Sequence, residues 1–155
     1  MKTYMATTTP LDTEFARLAG DMAEEFNFNR SLGQIYGLLY MQDAPLALED
    51  IGRRLSMSKG NVSINIRQLE AWGAVRPLSV VGSRKDYYEA NRDIKAVALR
   101  RLNEGLTKRL DHAERRMAAL LEAPVDPAHR KRIQELETLL SRGRRALKFA
   151  AQWFG

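Results

Sequence analysis

The sequence predicts a mostly α-helical fold in which two short helices joined by a tight turn lead into a small β-hairpin, with long helices after it. Three observations predict it. Apolar residues recur every three or four positions over most of the chain, the period of an amphipathic helix. That period breaks between Val75 and Glu89, where two extended runs flank Gly82 and Ser83. Charge divides the chain as sharply: residues 1–50 carry three basic and eight acidic residues, 51–92 eight and three, and 93–155 fourteen and eight, for a net charge of +6. A basic excess that begins at Ile51 suits a polyanion such as nucleic acid or an anionic membrane, and equally a solvated surface with incidental bias.

The 155 residues make one domain of ordinary size, or a small domain with a helical extension, and can bury a core without covalent staples. The absence of cysteine excludes a disulfide scaffold, thiolate metal sites, iron–sulfur clusters and thiol sensing, and fits a reducing cytoplasm. With 45% apolar and 28% charged residues the composition is globular. No apolar run approaches the ~20 residues of a membrane span. Met1 to Pro10 lacks the apolar centre of a signal peptide and reads as a flexible tail.

The first helix is expected from Leu11 to about Phe28, on the spacing of Leu11, Phe15, Leu18, Ala19, Met22 and Phe26. A second runs from Ser31 or Leu32 to Met41, with Ile35, Leu38 and Leu39 inward, and Asp43-Ala44-Pro45 ends it. A short helix follows from Ala47 to Leu55, then a turn at Met57. Ser58 is a good cap for the next helix, Lys59 to Trp72, because its hydroxyl can take up a free amide of the first turn. Gly73 suits the left-handed position that ends it. Val75 to Val81 and Asp86 to Glu89 form the hairpin, and Pro77 confines its strand to an edge. Beyond Asn91 one stripe runs from Ile94 to Leu121. After Pro124 and Pro127 a last helix, to Phe154, has heptad-like spacing.

Two short helices, a three-residue turn and a basic hairpin make a winged helix-turn-helix. The second short helix must bury one face and present the other to a DNA major groove. With Val62, Ile66 and Leu69 inward, Gly60, Ile64, Arg67 and Gln68 lie opposite, flanked by Asn61 and Ser63. Arg67 is suited to a guanine edge, Gln68 and Asn61 to adenine, and Ile64 to a thymine methyl. Ser58, Lys59 and Ser63 sit near a helix N-terminus that favours a phosphate. Arg84 and Lys85, near the hairpin tip, suit the minor groove or the DNA backbone. Each residue also has a plain structural role open to it: Arg67 and Gln68 as solvated positions, Ile64 packed on a neighbouring helix, Asn65 as a tie at the edge of the inner face.

Ser31 to Ala90 resembles the GbsR-type transcriptional regulators, a branch of the MarR-like winged-helix proteins. The resemblance rests on SKGNVS (Ser58 to Ser63), LEAWGAV (Leu69 to Val75) and GSRKDYYEA (Gly82 to Ala90), and extends over about residues 11 to 120. It implies a dimeric DNA-binding regulator, usually a repressor. Ser58, Lys59, Gly60, Asn61 and Ser63 match the start of the family's recognition helix, and Arg84 and Lys85 its wing. The chain departs from the family at Phe26 to Arg30, where a tighter loop with glycine and proline is the rule. Some relatives respond to choline or related osmolytes. A quaternary ammonium needs a cage of aromatic faces, and Tyr36, Tyr40, Trp72, Tyr87 and Tyr88 are its candidates, although aromatics at such spacing are more often core.

No enzyme is expected. His112 and His129 have no partner at metal-ligand spacing, Gly20, Gly33 and Gly37 lie in helical patterns rather than a phosphate loop, and Glu24 and Glu25 point apart. No cofactor or metal is expected. The organisation expected is therefore a tail over 1–10, a winged helix-turn-helix with an N-terminal helix over 11–92, and a helical dimerisation region over 93–155. The expected protein is a cytoplasmic homodimer that binds double-stranded DNA, with a quaternary amine or osmolyte as the candidate effector. The competing reading is a winged helix that docks an acidic protein partner.

Overall fold

The computed structural model describes residues 9–153. Helix α1 (Pro10–Glu25) opens with a reciprocal cap: the Thr9 hydroxyl accepts from the Asp12 amide and the Asp12 carboxylate from the Thr9 amide. Of the expected tail over 1–10, residues 1–8 lie outside the described residues. Thr9 and Pro10 begin the helix instead, because proline lacks only an amide that the first turn leaves unpaired. The helix stops three residues before the expected Phe28. Asn27 takes a left-handed conformation (φ 61°), and Phe28 turns in to meet Trp72 edge to face at 5.5 Å. Asn29 then caps α2 (Arg30–Tyr40), its side-chain oxygen accepting from the Ser31 amide at 2.8 Å.

Helices α1 and α2 approach closely because small residues face each other. A β-carbon on Gly33 would stand 2.3 Å from the Ala19 carbonyl oxygen and 2.7 Å from the Ala23 β-carbon. After α2 come β1 (Leu46–Ala47), α3 (Leu48–Leu55), α4 (Lys59–Ala71), β2 (Val75–Leu78) and β3 (Tyr87–Ala90). The expected two-stranded hairpin is thus a three-stranded antiparallel sheet in the order β1-β3-β2, with Leu46 and Pro77 both opposite Tyr88. Two residues are too few to show alternation, so β1 had no periodic signal. Its pairing also moves the start of α3 from Ala47 to Leu48, whose amide donates to the Asp86 carbonyl at 3.0 Å. Pro77 lies on edge strand β2, as its missing amide requires.

Ile35 and Leu38 of α2, Ile51 of α3, and Val62, Ile66 and Leu69 of α4 converge as the fully buried core. Burial of each such side chain contributes about 1.5–3 kcal/mol. Beside the core runs a polar chain through Gln42, which is itself buried. Its amide nitrogen donates to Asp12 at 3.3 Å, its side-chain oxygen accepts from Arg54 at 3.1 Å, and its carbonyl accepts from Arg92 at 3.0 Å. Burial pushes the Asp12 carboxyl up, but hydrogen bonds from the Thr9 amide and hydroxyl and from Gln42, with the Arg54 charge, outweigh it and hold the group below the usual carboxylate range.

Residues up to Ile94 form one compact unit and those from Lys95 a second. The second consists of α5 (Ile94–Glu122) and α6 (Pro127–Trp153). Asp126 caps α6 by accepting from the Ala128 and His129 amides at 2.9 and 3.1 Å. Arg130 near the start of α6 donates to the Leu121 carbonyl near the end of α5 at 3.1 Å, and Arg144 further along α6 reaches Asp111 and Glu114 at 3.1 and 3.2 Å, so the two helices run antiparallel. No residue of α6 is buried and only Val97 of α5 is. Leu99, Leu102, Leu106, Leu136, Leu139 and Phe149 stay exposed, since two helices alone have no interior.

Candidate nucleic-acid interface

The turn Ser56-Met57-Ser58 joins α3 to α4. Ser56 is left-handed (φ 53°), which ends α3 abruptly, and the Ser58 hydroxyl caps α4 by accepting from the Asn61 amide at 3.2 Å. Val62, Asn65, Ile66 and Leu69 form the buried face of α4. Lys59, Gly60, Ile64, Arg67 and Gln68 are exposed on the other side, and Ser63 is half-buried between the two faces. Ile64 is 69% exposed, so it does not pack on a neighbouring helix. A β-carbon at Gly60 would meet no atom within 4 Å.

Asn61 differs from its neighbours. Its side-chain oxygen accepts from Asn65 at 2.7 Å and its amide nitrogen donates to the Ser31 hydroxyl at 3.4 Å. Asn65 also donates to the Asn61 carbonyl at 2.9 Å. The side chain expected to read adenine is therefore turned toward α2 and engaged there. Asn65, expected to be a tie at the edge, is buried and belongs to the same relay.

In the wing, strands β2 and β3 are joined across their register by the Arg76–Glu89 ion pair. The tip is the Val80–Ser83 turn, closed by the Ser83 amide donating to the Val80 carbonyl at 3.1 Å. Arg84 and Lys85 come just after the tip, on the arm returning to β3. The Lys85 ammonium lies 3.1 Å from the Glu49 carboxylate of α3. That hydrogen bond and charge raise the Lys85 pKa and lower that of Glu49, to which the Lys59 charge also contributes. Glu49, Lys59, Arg84, Lys85 and Asp86 line one cleft of about 200 Å³ between α3, α4 and the wing. The tertiary fold thus brings Lys85, and the charge of Lys59, to a carboxylate that sequence reasoning missed, with Arg84 lining the same cleft. Nothing in the spacing of Glu49 and Lys85 announces their contact.

The aromatic candidates do not form a single ring group. Tyr36 and Tyr40 are 5.8 Å apart, with Phe15 stacked on Tyr40 at 5.9 Å, whereas Trp72 meets Phe28. The Tyr36 hydroxyl donates to the Asn91 carbonyl at 2.8 Å, and burial with the nearby Tyr40 pushes its phenol up. The Tyr87 hydroxyl donates to Ser83 at 3.3 Å. Among the described residues no group of three or more His, Asp or Glu side chains is placed to hold a metal ion, and no helix is long and apolar enough to cross a membrane.

No protein-family model matches the chain. It is 28% identical over 129 residues to the HTH-type transcriptional regulator MmpR5 of Mycobacterium tuberculosis, covering 83% of this chain and 77% of that protein. It is 31% identical over 68 residues to the HTH-type transcriptional repressor GbsR of Bacillus subtilis, covering 44% of this chain and 37% of the other. Among solved structures, a crystal structure of a transcriptional regulator superposes with a TM-score of 0.67 at 26% identity, over 94% of this chain and 98% of that one.

Proposed function

We propose that this chain, a MarR-like winged-helix transcriptional regulator with similarity to GbsR, represses transcription as a homodimer on double-stranded DNA. The observation that carries this is the outer face of α4. Gly60, Ile64, Arg67 and Gln68 are turned away from the core, with Lys59, Arg84 and Lys85 gathered beside them. Arg67 reads a guanine edge, Gln68 an adenine and Ile64 a thymine methyl. Ser58 and Ser63 support the phosphate contact of Lys59, and Asn61 positions the helix rather than reading a base.

A second copy is the natural cover for the apolar surface the chain leaves bare. Leu11, Leu18, Met22 and Phe26 of α1 are exposed, as are the leucines and Phe149 of α5 and α6. Exposed apolar side chains that recur along a helix face mark an interaction surface. With residues 93–155 and α1 forming the dimer interface, two copies of α4 would enter successive major grooves about 34–36 Å apart. The protein would act in the cytoplasm, with no catalytic group, cofactor or metal in its task. A small-molecule effector would act by favouring one separation of the two reading heads.

The test is fluorescence anisotropy on the DNA upstream of the protein's own gene, against a scrambled duplex, over a salt series. Tighter binding to the native duplex at every salt, with a steep slope, is expected. Arg67→Ala should lose the preference for the native duplex, while Lys85→Ala should weaken both duplexes alike. Equal weak binding that vanishes near physiological salt would favour docking of an acidic protein, and wild-type behaviour of both variants would show that the DNA-facing surface lies elsewhere.

A further inference from the structure

The wing ends in an apolar point. Within the Val80–Ser83 turn Gly82 is left-handed (φ 83°), the conformation that a type II turn needs at its third position. Val81 is therefore the second residue of the turn, at its apex. It is fully exposed, and Val80 beside it is 37% exposed. Turn apices ordinarily carry polar residues or proline, and a β-branched apolar side chain there buries nothing within the chain.

The point is also held in place. The Ser83 hydroxyl accepts from the Lys85 amide at 3.2 Å and from the Tyr87 hydroxyl at 3.3 Å. Two residues further, Lys85 ties the returning arm to Glu49 of α3. An apolar tip on an anchored hairpin, with Arg84 and Lys85 at its foot, is suited to a surface that is apolar inside and anionic at its rim. The minor groove of a duplex is such a surface: deoxyribose faces wall it and phosphates edge it. The exposed face of α4 and the cleft that joins it to the wing set that groove within the wing's reach.

We propose that Val81, backed by Val80, is an apolar wedge that enters the minor groove flanking the recognition-helix contact, packs on the sugars and opens a base step. It thereby reads the deformability of the flanking DNA, because pyrimidine–purine steps unstack and kink more readily than others. The wedge rests on the DNA-binding reading above and adds a specificity-determining residue that carries no charge.

The full chain, Val81→Ser and Val81→Leu would be compared on the duplex upstream of the gene and on its scrambled counterpart. Anisotropy over a salt series reads affinity, and energy transfer between end-labels reads bending. Val81→Ser should lose about tenfold in affinity for the native duplex, together with the bend. Its salt slope should match wild type because no cation has been removed. Val81→Leu should keep both affinity and bend. A Val81→Ser protein that binds and bends like wild type overturns the wedge alone, as does a wild-type complex that leaves the duplex straight. A serine variant with a shallower salt slope also overturns it, since the effect would then come from a displaced Lys85 or Arg84. A wild-type chain that binds neither duplex overturns the DNA reading and the wedge with it.

Discussion

Gly60 offers a test in which stability and function should move in opposite directions. It is the second residue of α4, it is exposed, and a β-carbon there would find no atom within 4 Å. Nothing in the chain's own packing requires glycine, yet glycine disfavours a helix. In a helix interior alanine is better by about 0.8–1.0 kcal/mol, and in the less constrained first turn about half of that is expected. Gly60→Ala should therefore stabilise the protein by about 0.5 kcal/mol, raising Tm by about 1–2 °C for a chain of this size. If a DNA backbone packs against the start of α4, the added methyl group must displace it. A steric cost of about 1–2 kcal/mol corresponds to roughly a tenfold loss of affinity. Because a phosphate or sugar is displaced rather than a base edge, native and scrambled duplexes should lose in proportion. Differential scanning calorimetry and anisotropy on the same preparation measure both quantities. A fall in Tm would mean that the fold itself needs the glycine. Unchanged affinity with raised Tm would mean that no backbone approaches Gly60, and the orientation assigned to α4 would be wrong.

Three further outcomes are expected. Gly33→Ala should do the reverse of Gly60→Ala: its β-carbon would stand 2.3 Å from the Ala19 carbonyl oxygen, so α1 must shift, and thermal denaturation should show a loss of about 1–3 kcal/mol. Glu49→Gln should release Lys85 from its 3.1 Å ion pair, strengthen binding to any duplex, and steepen the plot of log affinity against log salt by about one unit; a Lys85→Gln background should abolish the gain. Asp12→Asn should cost stability in a pH-dependent way. The folded-state pKa of Asp12 is depressed, so its contribution is present above its unfolded value, near about 3.9, and is lost as pH falls through the lower folded value. Denaturant curves should show the wild-type advantage above about pH 4 and its narrowing below; a difference independent of pH would show that the carboxylate charge is not what Gln42 and Arg54 hold.

Much of the helix-turn-helix was legible because its signals are local. Ser58 as the cap, Lys59 as the first helical residue, Gly73 beyond the end of α4 and Pro77 on an edge strand each follow from what one side chain does to its own backbone. The inner face of α4 followed from helical period, and with it the exposure of Ile64, Arg67 and Gln68. Where that reasoning missed, a distant contact had intervened. The first helix ends at Glu25, and beyond the left-handed Asn27 the Phe28 ring, expected within the helix, packs on Trp72. Leu46 and Ala47 are a strand because β3 offers them free backbone groups. The contacts of Asn61 with Asn65 and with the hydroxyl of Ser31, thirty residues away, likewise had no signal in the helical wheel that placed it on the flank of the outer face.

The amino-acid sequence by itself therefore determined the order of the helices and of the two hairpin strands, the buried face of α4, and the basic character of everything beyond Ile51. These depend on side-chain period, capping and charge, which act within a few residues. Only the tertiary structure decided which charged groups meet. It brought Glu49 to Lys85, threaded Asp12, Gln42, Arg54 and Arg92 into one polar chain, and raised Val81 to the apex of the wing ahead of Arg84. Long flexible side chains have no period, and their partners are fixed only once the backbone has closed around the core of Ile35, Leu38, Ile51, Val62, Ile66 and Leu69.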